Sequence, residues 1–133
     1  MATLEYAQPE QRGASRAINV IAVASLFYPL LLAGSLYAEW LWAWSLLSHK
    51  PVPSMDDPKF ISGNGMHGIV GLLFLGAAPA IVVAVVFNTL HAILNRASRR
   101  DLVVRGALLA FLWAGLLMLL RADPGRVAEW WMD

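Results

Sequence analysis

"AINVIAVASLFYPLLLAGSLYA", residues 17–38, runs for 22 positions without a charged side chain. As a helix it would be about 33 Å long, enough to cross a hydrocarbon core of about 30 Å. "AGS" at residues 33–35 has the small side chains of a signal-peptidase site, and Arg12 and Arg16 precede the run. The apolar stretch is longer than a signal-peptide core and continues past that site, so it reads as a retained span. Pro29 near its middle predicts a kink, with the freed carbonyl satisfied by a neighbour or a hydroxyl such as Ser25.

The composition agrees with lipid as the solvent. Of the 133 residues, 59% are hydrophobic and 14% charged, against about a quarter charged in a soluble domain. Mean hydropathy is +0.59. A net charge of +1 gives no basic surface suited to nucleic acid. With no cysteine, disulfides, thiolate nucleophiles, Cys-ligated zinc and iron–sulfur clusters are excluded.

Two further spans follow. Residues 39–65 form a Trp-rich interfacial segment and an outer loop, whose part "SHKPVPSMDDPKFISGNG" has three prolines and two glycines. Asp57-Pro58 within it has the order of an N-cap and a first-turn proline, so one helical turn is expected near Lys59 and Phe60. Met66–Leu94 is the second span. At about 44 Å it must tilt, kink at Pro79 or protrude. "NRASRRD", residues 95–101, is a basic turn, with Asp101 as the expected N-cap of a third span over Leu102–Leu120. Arg105 lies close enough to the span's end to snorkel. In the tail, residues 121–133, Asp123-Pro124 repeats the helix-start order. Val127, Trp130 and Trp131 then fall at helical spacing, as in an interfacial helix. We therefore expect an all-α integral membrane protein: one domain over residues 1–133, a three-helix transmembrane bundle with short interfacial helices behind a polar segment at 1–16.

Arg12, Arg16, Arg96, Arg99, Arg100 and Arg105 fall on one side of the three spans, against Lys50, Lys59, Arg121 and Arg126 on the other. The positive-inside rule then places the N-terminus in the cytoplasm and the C-terminus outside, in what we expect to be a bacterial inner membrane. Trp40, Trp42, Trp44, Trp130 and Trp131 gather on the outer side. Indole is amphipathic and settles at the headgroup level, so these five form an aromatic membrane belt. The alternative reading is a docking surface for a partner, a lipid tail or a flat cofactor.

Small residues recur every four positions at Gly76, Ala80 and Ala84, and again at Gly106, Ala110 and Ala114. Close backbone approach drives helix association in lipid, so the two rows are expected to pack antiparallel against each other. Span one, with Ser25, Ala33, Gly34 and Ser35, is then the face left for other integral membrane subunits.

No charged residue lies near the centre of a span, which argues against a pump or an ion-coupled transporter. His67 and His91 are the candidate cofactor-binding residues. They stand 24 positions apart on different helix faces, so each would separately ligate haem, quinone or a chlorophyll-type pigment. His49, Met55, Asp56, Asp57, Met66 and His67 would suit copper by softness, but no pair has a recognised metal spacing. No Ser/His/Asp grouping or Walker lysine is present, so no catalytic residue is assigned.

In plan the chain resembles the membrane-anchor subunits of succinate dehydrogenase and fumarate reductase. Three spans, an inward N-terminus, Pro79 and His91 in "FNTLHAILNRA" carry the likeness. It implies a quinone-holding, in many cases haem b-holding, anchor, and it covers topology alone. The expected function is a non-catalytic accessory or anchoring subunit of a larger membrane complex, respiratory or photosynthetic. The alternatives are a cofactor-binding electron-transfer anchor and a stand-alone homo-oligomer or immunity-type protein.

Overall fold

The computed structural model of the chain describes residues 9–61 and 63–133, with side chains over 14–61 and 65–133; residues 1–8 of the polar N-terminal segment and Ser62 lie outside the described residues. Among the described residues six helices follow one another: α1 (Pro9–Leu26), α2 (Tyr28–Leu47), α3 (Pro58–Ile61), α4 (Gly63–Leu94), α5 (Arg99–Ala122) and α6 (Val127–Met132). No strand occurs among the described residues. Helices α2, α4 and α5 are long and apolar enough to cross a membrane, so the fold is an all-α membrane bundle.

The run 17–38 is shared between α1 and α2, which meet at Phe27. Pro29 has no N–H to donate, and the chain passes the break through tight bonds, Phe27 N–H to the Ala24 carbonyl at 3.1 Å and Leu30 N–H to the Phe27 carbonyl at 3.1 Å. The Ser25 hydroxyl donates to the Ala22 carbonyl at 2.9 Å. Beyond the break α2 continues to Leu47, so Glu39 and the three tryptophans after it are helical. Residues 9–16, read from sequence as a polar segment, open α1, while the side chain of Arg12 lies outside the described residues.

α1 and α2 run antiparallel to α4, and their polar pairs mark the register. Ser15 Oγ donates to Asn95 Oδ1 at 2.5 Å, Asn88 Nδ2 to the Ala22 carbonyl at 3.2 Å, and the Tyr28 hydroxyl to the Leu73 carbonyl at 2.6 Å. Helix α4 passes through Pro79 without interruption.

The two small-residue rows do not meet, which corrects the expected packing. Gly76 and Ala84 pack against the α1–α2 arm: a Cβ on Gly76 would lie 2.5 Å from the Tyr28 hydroxyl, and Ala84 is fully buried. Ala80 between them is half-buried. Gly106, Ala110 and Ala114 on α5 are exposed. The reason is α1, a helix the three-span plan did not separate, which lies along α4 and takes the face reserved for α5. In α5 only Leu116 is buried.

One helix start is as expected and two differ: Asp57 precedes Pro58 at the head of α3, whereas the N-cap of α6 is Arg126, so Asp123-Pro124 is not its N-cap and first-turn proline. Asp57 Oδ1 accepts from Lys59 N–H at 2.8 Å at the head of α3. Asp123 closes α5 through its own N–H to the Leu119 carbonyl and opens α6 by accepting from Ala128 N–H at 2.7 Å and Glu129 N–H at 2.9 Å. At α5 the N-cap is Ser98, not Asp101. Ser98 Oγ accepts from Asp101 N–H at 3.2 Å and donates to the Asp101 carboxyl at 2.8 Å, a serine N-cap that starts the helix three residues early.

Candidate functional site

The core of the protein is concentrated at the end where α2, α3 and α6 meet α4. Leu36, Trp40, Ala43, Val70, Val127, Ala128 and Trp130 form one buried cluster there. Inside it lies the one acidic side chain with no exposure among the described residues, Glu39 at 0%. A carboxyl group can be buried only if its oxygens are answered. Oε2 accepts from the Trp131 indole N–H at 2.9 Å, and Oε1 faces His67 Nδ1 at 3.3 Å. The tautomer with its proton on Nδ1 donates across that gap.

Aromatic stacking fixes the donors. The His67 ring lies 4.8 Å from Trp131, nearly parallel, and Trp131 stacks on Phe74 at 4.7 Å. Gly71, one turn along α4 from His67, leaves room for the indole; its absent Cβ would stand 3.9 Å from Trp131. Trp130 beside it is wholly buried and donates its N–H to the Asp56 carbonyl at 2.6 Å. Tail, outer loop and two spans thus meet around one carboxyl group.

The five outer tryptophans therefore divide. Trp42 and Trp44 are exposed at 53% and 43%, as a belt requires, whereas Trp40 at 7% and Trp130 at 0% are core residues, and Trp131 is spent on Glu39. The belt reading is corrected for these three. The cap they build needed apolar bulk on its inner face, and helical α2 turns Trp40 inward with Leu36 and Ala43.

His67 and His91 stand at opposite ends of α4, so the structure does not bring them together. His91 Nδ1 meets the Asn95 amide at 3.0 Å. In the outer loop Asp56 Oδ2 accepts from Val52 N–H at 2.9 Å and lies 3.9 Å from His49 Nδ1. Met55 is exposed and His67 turns inward, so the soft-ligand set does not converge. Among the described residues no three His, Asp or Glu side chains gather as a metal site. On the tail, Arg126 donates through Nε and Nη2 to the two oxygens of the Glu129 carboxyl. That bond holds Glu129 below the ordinary carboxyl range and raises Arg126.

A second polar knot occupies the other end. Arg105 does not simply reach outward. Its guanidinium donates to Asn19 Oδ1 on α1 at 3.1 Å and to Asn88 Oδ1 on α4 at 3.3 Å. Asn88 in turn donates to the Ala84 carbonyl at 2.8 Å. From His67 to Asn88 is 21 residues of α4, about 32 Å, one hydrocarbon thickness between the knots.

Sequence reasoning ended the first span at Ala38 and so missed Glu39 as a core residue. The signal was there: Leu32, Leu36, Glu39 and Ala43 fall at helical spacing on one face, all buried. The meeting of Asn19 and Asn88 at Arg105 depends on the α1–α4 register.

Comparison of the chain with protein-family models, with curated proteins and with solved structures finds no match.

Proposed function

We propose that this protein is a non-catalytic accessory or anchoring subunit of a larger membrane complex, and that α5 is its assembly face. One observation carries the reading. α5 buries only Leu116 within its own chain, while Gly106, Ala110 and Ala114 line its exposed flank. Grooves of about 170 and 240 Å³ run along its two sides, the second between Pro29, Ala33, Phe111 and Gly115. Lipid supplies no hydrophobic force between helices, so a small-residue row open to the bilayer is where another helix backbone approaches closely. The assembly sits in a bacterial inner membrane, with the arginine-rich end cytoplasmic and the tryptophan-rich cap outside.

Native mass spectrometry after mild extraction from the source membrane tests this. An assembly larger than any simple multiple of 14.6 kDa, lost on Gly106→Leu with Ala110→Leu, is the expected result. Only the chain or its multiples would sink the proposal.

A second reading has one observation in its favour. Metal-ligating histidines commonly hold their other ring nitrogen against a carboxyl group, as His67 does with Glu39. His67 Nε2 would then serve a haem or pigment contributed at the cap. Visible absorption that His67→Ala abolishes would establish it; unchanged cofactor content in that variant would end it.

A further inference from the structure

We infer that the cleft between α4 and α5 at the arginine-rich end is a binding site for one anionic phospholipid. Arg105 supplies the charge. It is half-buried, and its two observed side-chain acceptors, Asn19 and Asn88, are neutral amide oxygens. It makes no ion pair among the described residues. A guanidinium has five N–H donors, and two amide contacts leave donors over in the fork that suits a phosphate. A cation held near lipid by neutral groups alone is costly, so an anion supplied from outside lowers its energy.

The cleft beside it has the matching shape. Val85, Leu102 and Leu109 give it apolar walls, Thr89 adds a hydroxyl, and Gly106 leaves the floor open, with nothing within 4 Å of where a Cβ would stand. The groove, about 170 Å³, is apolar apart from Arg105, Asn88 and Thr89, and takes the first part of the acyl chain of a lipid whose phosphate meets the guanidinium. Arg99 and Arg100 are exposed in the first turn of α5, about 8 Å along the helix. Arg96 and Arg16 are exposed at the same end. Among the described side chains at this end the one carboxylate is Asp101, which the Ser98 hydroxyl holds at the head of α5. Basic pockets between transmembrane helices select anionic headgroups on these terms. At the cap end Arg126 is already taken by Glu129.

The experiment uses the full chain purified in a mild non-ionic detergent. Native mass spectrometry counts bound dioleoylphosphatidylglycerol and dioleoylphosphatidylcholine across a titration. One phosphatidylglycerol is expected to be retained with at least about fivefold preference over phosphatidylcholine. Arg105→Gln should bring it down to the phosphatidylcholine level, while Arg126→Gln leaves it unchanged. Should Arg105→Gln fail to fold, Gly106→Leu decides the matter, since its side chain enters open space in the cleft and should displace the lipid while the cation stays. Equal retention of both lipids, or full phosphatidylglycerol binding in the Gly106→Leu variant, would overturn the site. So would complete displacement by millimolar inorganic phosphate, which would make it a phosphate site.

Discussion

Replacing Gly76 by alanine adds a single methyl group, and the structure gives its consequence in some detail. That Cβ would stand 2.5 Å from the Tyr28 hydroxyl oxygen and 3.6 Å from the ring carbon bearing it. The first distance is untenable and the second is ordinary contact, so the hydroxyl must leave its place on the Leu73 carbonyl, now 2.6 Å away. Losing a hydrogen bond inside a membrane bundle costs about 0.6 kcal/mol on average and at most about 1.7. Displacing a packed ring adds roughly 1–3 kcal/mol. Alanine returns up to about 1 kcal/mol of helix propensity. G76A should therefore destabilise by about 1–2 kcal/mol and Y28F alone by about 1. In the double variant no oxygen opposes the methyl group, and only the 3.6 Å contact remains. Its stability should lie within about 0.5 kcal/mol of Y28F, or above it, a favourable coupling of 1–2 kcal/mol in order of magnitude. Reversible unfolding in mixed micelles, followed by tryptophan fluorescence, reads all four corners of the cycle. A neutral G76A, or the same loss with and without the hydroxyl, would refute the idea that Gly76 exists to admit Tyr28.

Glu39→Ala leaves the Trp131 N–H and His67 unanswered in a buried place and should cost roughly 3 kcal/mol; cleavage of residues 123–133 by added protease should accelerate with it, and an uncut tail would count against the knot. Glu39→Gln keeps an acceptor for Trp131 and should lose about 1 kcal/mol. Asp123→Ala removes both acceptors at the head of α6 and should cost about 1–2 kcal/mol, seen as a loss of helical signal and exposure of Trp130. The Glu129 carboxyl, held below its ordinary 4.5 by the hydrogen bond from Arg126, contributes stability that is complete above that ordinary value and disappears as pH falls through the lowered one. Carbon NMR titration should place Glu129 below 4.5 and return it to the ordinary range on Arg126→Gln; an identical titration in both proteins would contradict this.

Much of the fold was legible because lipid imposes a coarse rule. Lengths of uncharged sequence were enough to mark α4 and α5, Asp57-Pro58 marked α3, and the spacing of Val127, Trp130 and Trp131 marked α6, whose N-cap is Arg126 and not Asp123. What stayed hidden depended on pairings. From spacing alone, Gly76-Ala80-Ala84 has two possible neighbours, α5 or the α1–α2 arm, and the short 95–101 turn favoured α5. Polar anchors decide otherwise: Asn95 on Ser15, Asn88 on the Ala22 carbonyl and Tyr28 on the Leu73 carbonyl each bind α4 to that arm. The site was hidden for a related reason. A glutamate following an apolar run reads as the end of a span, and only the tail's return to place Trp131 against it makes Glu39 an interior residue.

The two ends of the bundle solve the same electrostatic problem differently. At the cap, the buried carboxyl is answered from within the chain. The carboxyl of Glu39 has an indole and an imidazole, Trp130 has the Asp56 carbonyl, and Asp123 holds α6. At the arginine-rich end the amides of Asn19 and Asn88 orient Arg105 without neutralising it. α5 is thus tied at both ends, by Asp123 and α6 at one and by Arg105 at the other, while between them it buries Leu116 alone. A helix fixed at its ends keeps its spacing even where its middle is unpacked, which is why a groove opens on either side of it. Helix packing in lipid has no hydrophobic force to close such grooves. The acyl chain proposed beside Arg105 would fill one of them, and the partner helix proposed along Gly106, Ala110 and Ala114 would cover the exposed flank between.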